Sequence, residues 1–266
     1  MNNKILVITA TLGNRDSLRR TINSVASIGK DDVKHIVVAP PNKCESISNM
    51  FNITCIPEPE GKKGIYAALN YGFQNYANEY KYMTFINDDD FWVPEFRVLI
   101  DTILQDKYDL VYGKTKYFDE KGKVITEQSC SGRFKDFVPL LRAGVVMLTQ
   151  QATIIKSKWY FKLNGFDESY KLVADSKFWA LLSLENINYK YFNKCCAGYT
   201  IQEGQLSSDH GTQRIEGKRM LSELPRNNKF NSTIAKIRFR LSNIKMYLSR
   251  FLNIGTVKSN ISVRWK

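Results

Sequence analysis

The first 90 residues alternate between short apolar runs and longer segments in which apolar residues recur every three or four positions. The apolar runs are rich in β-branched residues and predict buried strands at Ile5–Thr9, His35–Ala39, Ile53–Ile56 and Tyr82–Ile86. The intervening segments predict helices at Arg15–Ile28, Asn42–Asn52 and Gly64–Asn78. Strands that alternate with helices indicate an α/β fold with a mostly parallel central sheet flanked by helices, in which ligands bind at the carboxyl ends of the strands.

The pattern is less regular beyond residue 110. Strands are predicted at Leu110–Tyr117, Lys123–Glu127, Gln151–Ile155, Tyr189–Phe192 and Ala197–Ile201, and helices at Phe137–Leu141 and Ser176–Leu184. The polar segment Gln205–Arg219, which contains His210 and Arg214, predicts a loop that is able to close over a neighbouring site. We therefore expect one large domain over residues 1–206 and an extension over residues 207–266.

The extension contains a row of apolar residues separated by three and four positions, which predicts an amphipathic helix. The row consists of Ile234, Ile237, Leu241, Ile244, Leu248 and Phe251. Two interpretations remain open: the apolar face lies on an anionic membrane surface, or it packs on the domain or on a second subunit in a homodimer.

Charge is distributed unevenly along the chain, whose formal net charge is +13. No acidic residue follows Glu223, so the extension is strongly basic and indicates an anionic partner. A nucleic acid is not expected, because no nucleic-acid-binding motif accompanies the charge. The five cysteines form no CxxC pair, and the apolar runs are too short to span a bilayer. We expect a cytoplasmic protein, with the inner face of the plasma membrane as the surface for any peripheral attachment.

Three consecutive carboxylates, Asp88, Asp89 and Asp90, follow the predicted strand Tyr82–Ile86. Their mutual repulsion must be offset, and a divalent cation with hard oxygen ligands, Mg²⁺ or Mn²⁺, does this well. The alternative is a solvated acidic turn that caps the next helix. The apolar flank Phe91–Val93 disfavours a polar surface loop and favours the metal site.

Four segments resemble family 2 glycosyltransferases, which have the GT-A fold. They are ILVITATLGNR at Ile5–Arg15, GIYAALNYG at Gly64–Gly72, FINDDDF at Phe85–Phe91, and the block Gln151–Trp179 that contains GFDESY. The resemblance is of the type found in bacterial cell-surface polysaccharide synthesis. It implies a GT-A catalytic domain at 1–206, with a nucleotide-sugar half at 1–110 and an acceptor half at 111–206.

The resemblance also implies roles for individual residues. Asp175 falls at the position of the general base of an inverting displacement, and Glu168 and Trp179 fall on the acceptor side. The nucleotide sugar, expected to be a UDP-sugar, would contact Thr9, Thr11, Arg15, Lys63, Tyr66, Asn70, Asp88 and Asp89. Asp90, with Asp89, would bind the Mn²⁺ or Mg²⁺ ion, and the acceptor would be a glycan or a lipid-linked glycan.

Structural interpretations compete with several of these roles. Asp175 could instead be the N-cap of the predicted helix, Glu168 could stabilise a turn, and Lys63 could be an exposed loop lysine. The family's aspartate after the second strand is missing, because the chain reads Val37–Pro40 there. Two other functions remain as alternatives, a sugar nucleotidyltransferase and an inactive sugar- or lipid-binding protein. A single glycine at Thr11–Arg15 disfavours the former, and the intact aspartates disfavour the latter.

Overall fold

The computed structural model describes residues 2–202, 205, 208–226 and 229–251. Its first half is a parallel sheet whose strands lie in the order β3-β2-β1-β4. The strands are β1 (Asn2–Ala10), β2 (Val33–Ala39), β3 (Thr54–Pro57) and β4 (Tyr80–Phe85). The connecting helices are α1 (Ser17–Gly29), α2 (Pro41–Phe51) and α3 (Ile65–Tyr76). The predicted alternation of strands and helices is therefore confirmed in this half.

The core lies on both faces of this sheet. Successive residues of β1 point to opposite faces, so Leu6 and Ile8 enter one apolar cluster, and Ile5 and Val7 enter another. All four are fully buried, as expected for a parallel strand that is covered by helices on both sides. The burial of consecutive residues explains why the strand appears in the sequence as an unbroken apolar run.

The second half extends the sheet in the order β4-β8-β6-β9-β5, with β7 paired to β6. Its strands are β5 (Phe91–Trp92), β6 (Leu110–Phe118), β7 (Val124–Glu127), β8 (Thr153–Lys156) and β9 (Tyr189–Thr200). Its helices are α4 (Arg97–Ile103), α5 (Phe137–Arg142), α6 (Ser157–Lys162) and α7 (Ala174–Leu184). The α/β class is confirmed, and β8 adds antiparallel pairing because it runs opposite to both β4 and β6.

The strand β9 is continuous where the sequence predicts two strands. Its pairing with β6 shifts register on both sides of Lys114, which lies opposite Cys195. The segment around Cys195 is polar and partly exposed, which interrupts the apolar pattern without ending the strand. The irregular pairing between β6 and β9 therefore coincides with the polar residues that made the sequence predict two separate strands.

The C-terminal part of the described chain is helical, with α8 (His210–Glu223), α9 (Lys229–Ser242) and α10 (Ile244–Phe251). The prediction of a loop over Gln205–Arg219 is wrong for most of its length, because α8 begins at His210. The Asp209 side chain caps α8 by accepting a hydrogen bond of 2.9 Å from the Thr212 N–H. No helix among these described residues is both long and apolar enough to cross a membrane.

Most of the predicted apolar face of the extension does not pack on the domain, and only Ile234 of the described row is partly buried. Ile237, Leu241, Ile244 and Leu248 are each about half exposed, whereas a different face, which includes Phe239, is buried. The Phe251 side chain lies outside the described residues. The packing interpretation is therefore wrong for these four side chains, and the membrane and dimer interpretations stay open.

Candidate active site

A cavity of about 480 Å³ opens at the carboxyl ends of β1 and β4. Residues that follow these two strands line it, as expected for a parallel sheet. The predicted site residues in its wall are Thr11, Arg15, Tyr66, Asp88, Asp89 and Asp175. The acidic loop and the candidate base, which are far apart in sequence, therefore face the same space.

Asp88 is held by two residues of the segment that follows β1. The Thr11 hydroxyl donates to Oδ2 of Asp88 at 2.6 Å, and Arg15 Nη1 donates to Oδ1 at 3.3 Å. Burial raises the pKa of Asp88, whereas the hydrogen bond from Thr11 and the charge of Arg15 act to lower it. The threonine and arginine of the predicted nucleotide segment thus orient an acidic side chain that lines the cavity.

Asp89 shares its cationic partner with Asp88. Arg15 Nη1 lies 2.5 Å from Oδ2 of Asp89 and forms an ion pair with both carboxylates. Gln205 Nε2 donates to the same oxygen of Asp89 at 2.7 Å, and Arg20 Nη2 donates to the Asp89 carbonyl at 2.9 Å. Guanidinium groups therefore offset part of the repulsion that the sequence assigns to a metal ion alone.

Asp90 lies behind the cavity wall rather than in it. Its side chain is fully buried, and Asn87 Nδ2 donates to its Oδ2 at 3.3 Å. Within the described residues its Oδ1 has no hydrogen-bond partner. Burial raises the pKa of Asp90 well above its usual range, and the charge of Asp89 adds to this effect. Asp90 is therefore buried behind the wall, whereas Asp88 and Asp89 line the cavity, although the three residues are consecutive.

Asp175 is the second residue of α7, and Val173 occupies the N-cap. The alternative that Asp175 caps this helix is therefore wrong. The Tyr66 hydroxyl, from the first turn of α3, donates to Oδ1 of Asp175 at 3.0 Å. Burial raises the pKa of Tyr66 well above its usual range, and the nearby Asp175 charge adds to the shift. Tyr66 consequently stays a hydrogen-bond donor at neutral pH.

Six other predicted site residues lie outside the cavity wall: Thr9, Lys63, Asn70, Asp90, Glu168 and Trp179. Thr9 is fully buried and shares a hydrogen bond of 2.9 Å with His35, whose pKa is lowered to about 3 by burial. Lys63 is exposed, and Trp179 is 3% exposed in the core cluster. The ligand contacts that the resemblance implies for these six residues would require their side chains to move into the cavity. Otherwise the residues would act through neighbours that line it.

Asn70 and Glu168 form one hydrogen-bonded unit at the turn before α7. Asn70 Nδ2 donates to Oε1 of Glu168 at 3.0 Å and to the carbonyl of Phe166 at 2.8 Å. Asn70 Oδ1 accepts from the Tyr160 hydroxyl at 2.7 Å. Lys62 Nζ forms an ion pair of 3.0 Å with Glu168. This geometry fits the interpretation in which Glu168 stabilises a turn.

The sequence predicts the segment Gln205–Arg219 beside the site, but it pointed to His210 and Arg214 and missed the residues that form the cavity wall. Gln213 from α8 and Gln205, which precedes it, both line the cavity. The Glu216 carboxylate, also in α8, accepts the N–H of Lys171 at 2.6 Å and the N–H of Leu172 at 2.9 Å. Lys171 and Leu172 line the cavity next to α7, so α8 holds one wall in place. In the sequence, the polar character of the segment indicated its proximity to the site but not the helix that holds the wall.

Gln151 is a second residue whose role the sequence left open. It is fully buried and belongs to the cavity wall. Neither its Nε2 nor its Oε1 has a hydrogen-bond partner in the described part of the protein. A buried amide without partners is costly, so Gln151 is suited to bind a polar ligand in the cavity.

Comparison with known proteins gives a consistent result for the family and the fold. The sequence model of the family described as glycosyl transferase family 2 matches residues 6–182. No curated protein matches the sequence significantly. Among solved structures, S. aureus TarS 1–349 in complex with UDP-GlcNAc is similar with a TM-score of 0.60 and 14% identity, over 91% of this chain and 73% of that chain.

Two further solved structures have similar folds. The mannosyltransferase PcManGT from Pyrobaculum calidifontis, in complex with GDP-Man and Mn²⁺, gives a TM-score of 0.59 at 14% identity, over 97% of this chain and 77% of that chain. The glucosyl-3-phosphoglycerate synthase from Mycobacterium tuberculosis, in complex with Mn²⁺, UDP and glucosyl-3-phosphoglycerate, gives 0.52 at 14% identity, over 84% and 81%. At such identities these structures show a shared fold.

Proposed function

This chain belongs to glycosyl transferase family 2, and we propose that it transfers a hexose from a nucleoside-diphosphate sugar to a hydroxyl of a glycan or lipid-linked glycan. The observation that carries the proposal is that Asp88, Asp89 and Asp175 line one cavity at the carboxyl edge of the sheet. This shared lining supports a donor site and an acceptor-side base that act on one bound sugar. The similar structures that hold UDP-GlcNAc, UDP and GDP-Man support a nucleotide-sugar donor.

The nucleoside would bind where the ends of β1, β2 and β3 meet. The family aspartate after β2 is missing, but Glu58 lines the cavity directly after β3. Its N–H donates to the carbonyl of Ala39, the last residue of β2, at 2.8 Å. We propose that Glu58 accepts a hydrogen bond from a ring N–H of the base, such as that of uracil. This position supports a UDP-sugar as the donor.

The diphosphate would lie between Arg15 and the first turn of α3. Gly64, Ile65 and Tyr66 of this turn line the cavity, and a helix N-terminus favours an anion. Arg15 is already held by the two aspartates and supplies a positive charge at the same point. These groups would bind the leaving nucleoside diphosphate without a large rearrangement.

The carboxylates of Asp88 and Asp89, which line the cavity, would be the protein ligands of a divalent metal ion. No cluster of three or more metal-ligating side chains occurs among the described residues. Mg²⁺ and Mn²⁺ need no such cluster, since one or two carboxylates with substrate phosphates suffice. We propose Asp89 as the main protein ligand, and the Mn²⁺ in two of the similar structures supports a metal. A bound metal would neutralise the charge that develops on the departing diphosphate.

Direct metal contact by Asp90 stays a prediction, and its complete burial disfavours that contact. Asp90 is better placed to support the loop, since the Thr21 hydroxyl donates to its carbonyl at 2.6 Å. Arg20, which bonds the Asp89 carbonyl, also bonds the Thr200 hydroxyl at 2.6 Å. The loop is therefore held by α1 and β9, which would fix the direction of the Asp89 carboxylate.

We propose a single displacement with inversion. Asp175 would take the proton from the acceptor hydroxyl as that oxygen attacks the anomeric carbon and the bond to the diphosphate breaks. The Tyr66 hydrogen bond to Oδ1 would hold the carboxylate in one orientation. The partly buried position of Asp175 in the cavity wall limits competing water.

Calorimetric titration with nucleoside-diphosphate sugars, with MnCl₂ and with EDTA, tests the proposal. Metal-dependent binding followed by release of a nucleoside diphosphate in the presence of an acceptor supports a transferase. Release of pyrophosphate from a nucleoside triphosphate and a sugar 1-phosphate would instead indicate a sugar nucleotidyltransferase. Binding that never leads to turnover with any glycan acceptor would indicate an inactive binding protein.

A further inference from the structure

Helices α9 and α10 follow one another with only Asn243 between them, and we call the pair the rod. The N–H of Asn243, between them, donates to the carbonyl of Phe239 at 3.2 Å, and the N–H of Tyr247 donates to the carbonyl of Asn243 at 3.2 Å. The first is the last hydrogen bond of α9 and the second is the first hydrogen bond of α10, so each helix has its own periodicity on its side of Asn243. Within each helix, residues can be assigned to faces at about 100° per residue.

One face of the rod is fixed against the domain. Phe239 is 2% exposed and Asn243 is 8% exposed. Asn243 Nδ2 donates to the carbonyl of Cys130 at 2.9 Å, and Ser129 Oγ lies 3.0 Å from Sδ of Met246. These contacts set the orientation of the rod and thus determine which of its residues face outward.

The opposite face is apolar and exposed. Its residues are Phe230, Ile237, Leu241, Ile244 and Leu248, and their exposed fractions range from 47% to 66%. In α9, Phe230, Ile237 and Leu241 fall within a sector of roughly 40° on the side away from Phe239, and in α10 Ile244 and Leu248 lie four positions apart on one face. We call this row the apolar stripe. A contiguous row of this kind differs from the scattered apolar residues of an ordinary surface and indicates a binding surface.

Cations lie along both sides of the apolar stripe. By helical position in α9, Arg238 lies on one side and Lys236 and Arg240 lie on the other, and Lys245 flanks the stripe in α10. Arg238 Nη1 lies 3.6 Å from Asp136, with 43% of its side chain still exposed. The two helices contain no acidic residue. The surface therefore combines an apolar centre with cationic margins.

This charge pattern distinguishes between two occupants. A second copy of the chain that paired stripe to stripe would bring its own Arg and Lys margins against those of the first copy. No carboxylate in either helix would neutralise them. An anionic lipid surface instead offers hydrocarbon to the apolar stripe and phosphate to the cations on both sides.

We propose that the apolar stripe of α9 and α10 docks on an anionic lipid bilayer. The rod would lie in the plane of the interface, with the apolar stripe below the headgroups and Lys236, Arg238, Arg240 and Lys245 among the phosphates. The catalytic domain, which packs on the buried face of the rod, would then lie on the aqueous side of the interface.

The docked rod lies next to one wall of the cavity. Gln128, adjacent to the Ser129 contact, donates from Nε2 to the carbonyl of Val146 at 3.5 Å, and Val146 lines the cavity. Docking would therefore hold the part of the cavity that the acceptor half forms near the bilayer, which suits a lipid-linked glycan as the acceptor. The benefit for such an acceptor rests on the proposed function, whereas the docking itself does not.

Co-sedimentation of the full chain with vesicles tests the proposal. Phosphatidylcholine vesicles are compared with vesicles that also contain phosphatidylglycerol, and we expect the latter to bind on the order of tenfold more tightly. The combined variant Ile237→Ser, Leu241→Ser and Ile244→Ser should lose on the order of tenfold or more in affinity. Replacing Lys236, Arg240 and Lys245 by Gln should remove the preference for phosphatidylglycerol.

The matched control is Met50→Ser, which removes an apolar side chain that is 61% exposed on α2. It should bind vesicles like the wild type, and thermal unfolding should confirm that every variant is folded.

Failure of the wild type to prefer phosphatidylglycerol, or full binding by the triple serine variant, would overturn the proposal. A dimer in analytical ultracentrifugation that the serine variant dissolves, without vesicle binding, would assign the stripe to a second copy. Vesicle binding by an Asp175→Asn variant separates docking from the proposed transfer.

Discussion

The hydroxyl of Tyr66 donates a hydrogen bond of 3.0 Å to Oδ1 of Asp175 and thereby joins the first turns of α3 and α7. Tyr66 belongs to the half of the chain that would bind the nucleotide sugar, and Asp175 belongs to the half that would bind the acceptor. Because the two side chains share one cavity wall, the proposed base is oriented by a residue beside the proposed donor.

Tyr66→Phe keeps the ring that packs against Phe166, with centroids 5.7 Å apart, and removes only the hydroxyl. We expect kcat to fall by about 10- to 150-fold while the donor KM changes little, since one buried hydrogen bond to a charged group is worth about 1.5–3 kcal/mol. Steady-state kinetics measure both values. An unchanged kcat in a stable Tyr66→Phe enzyme would remove the positioning role.

Asp175→Asn should abolish transfer and preserve donor binding. Loss of a general base is expected to lower kcat by about 10²–10⁴-fold. Calorimetry with the nucleotide sugar should give the wild-type affinity. Asp167→Asn is the matched control, because Asp167 is a nearby acid that forms an ion pair with Lys177 at 2.7 Å and lies outside the cavity wall. Full turnover by the Asp175 variant would show that another group takes the proton.

Asp89→Asn and Asp90→Asn should differ in metal-dependent donor binding. Asp89 faces the cavity, so its variant is expected to lose most of the affinity that Mn²⁺ confers. Asp90 is fully buried, so its variant should retain much of that affinity. Titration of the donor with and without Mn²⁺ measures the difference. The reverse result would establish the direct Asp90 contact that the sequence predicts.

The effect of Asp90→Asn on stability should depend on pH. Burial raises the pKa of Asp90 well above its usual range, so its protonated form favours folding and its ionised form opposes it. The stability that the protonated form contributes is therefore fully present at acidic pH and is lost as the pH rises through the raised pKa. We expect the variant to gain in Tm over the wild type at alkaline pH and to lose this gain at acidic pH. A pH-independent difference in Tm would contradict this expectation.

Glu216→Gln should loosen the cavity wall that precedes α7. The carboxylate accepts two backbone N–H groups, from Lys171 and Leu172, and an amide can replace only one of these acceptors. We expect a loss of about 1–3 kcal/mol in the free energy of unfolding and a higher acceptor KM. Hydrogen exchange at the two amides should accelerate. Lys218→Gln, at an exposed position of α8, serves as the control and should change neither property.

The periodicity of the sequence determined the parallel half of the sheet and the position of the acidic loop. Each strand there is buried on both faces, so its apolar run is unbroken, and the loop must follow β4 at the carboxyl edge. The convergence of Thr11, Arg15 and Asp88 at that edge follows from the same rule, because parallel strands end together.

Only the tertiary structure decided what covers each surface. Asp89 faces the cavity and Asp90 does not, although the two are adjacent, because α1 and β9 hold the loop in one direction. The periodicity identified the apolar row of the C-terminal helices, but the domain packs on the face that carries Phe239 and Asn243. Periodicity reports which residues share a face of one element, whereas burial depends on partners distant in sequence.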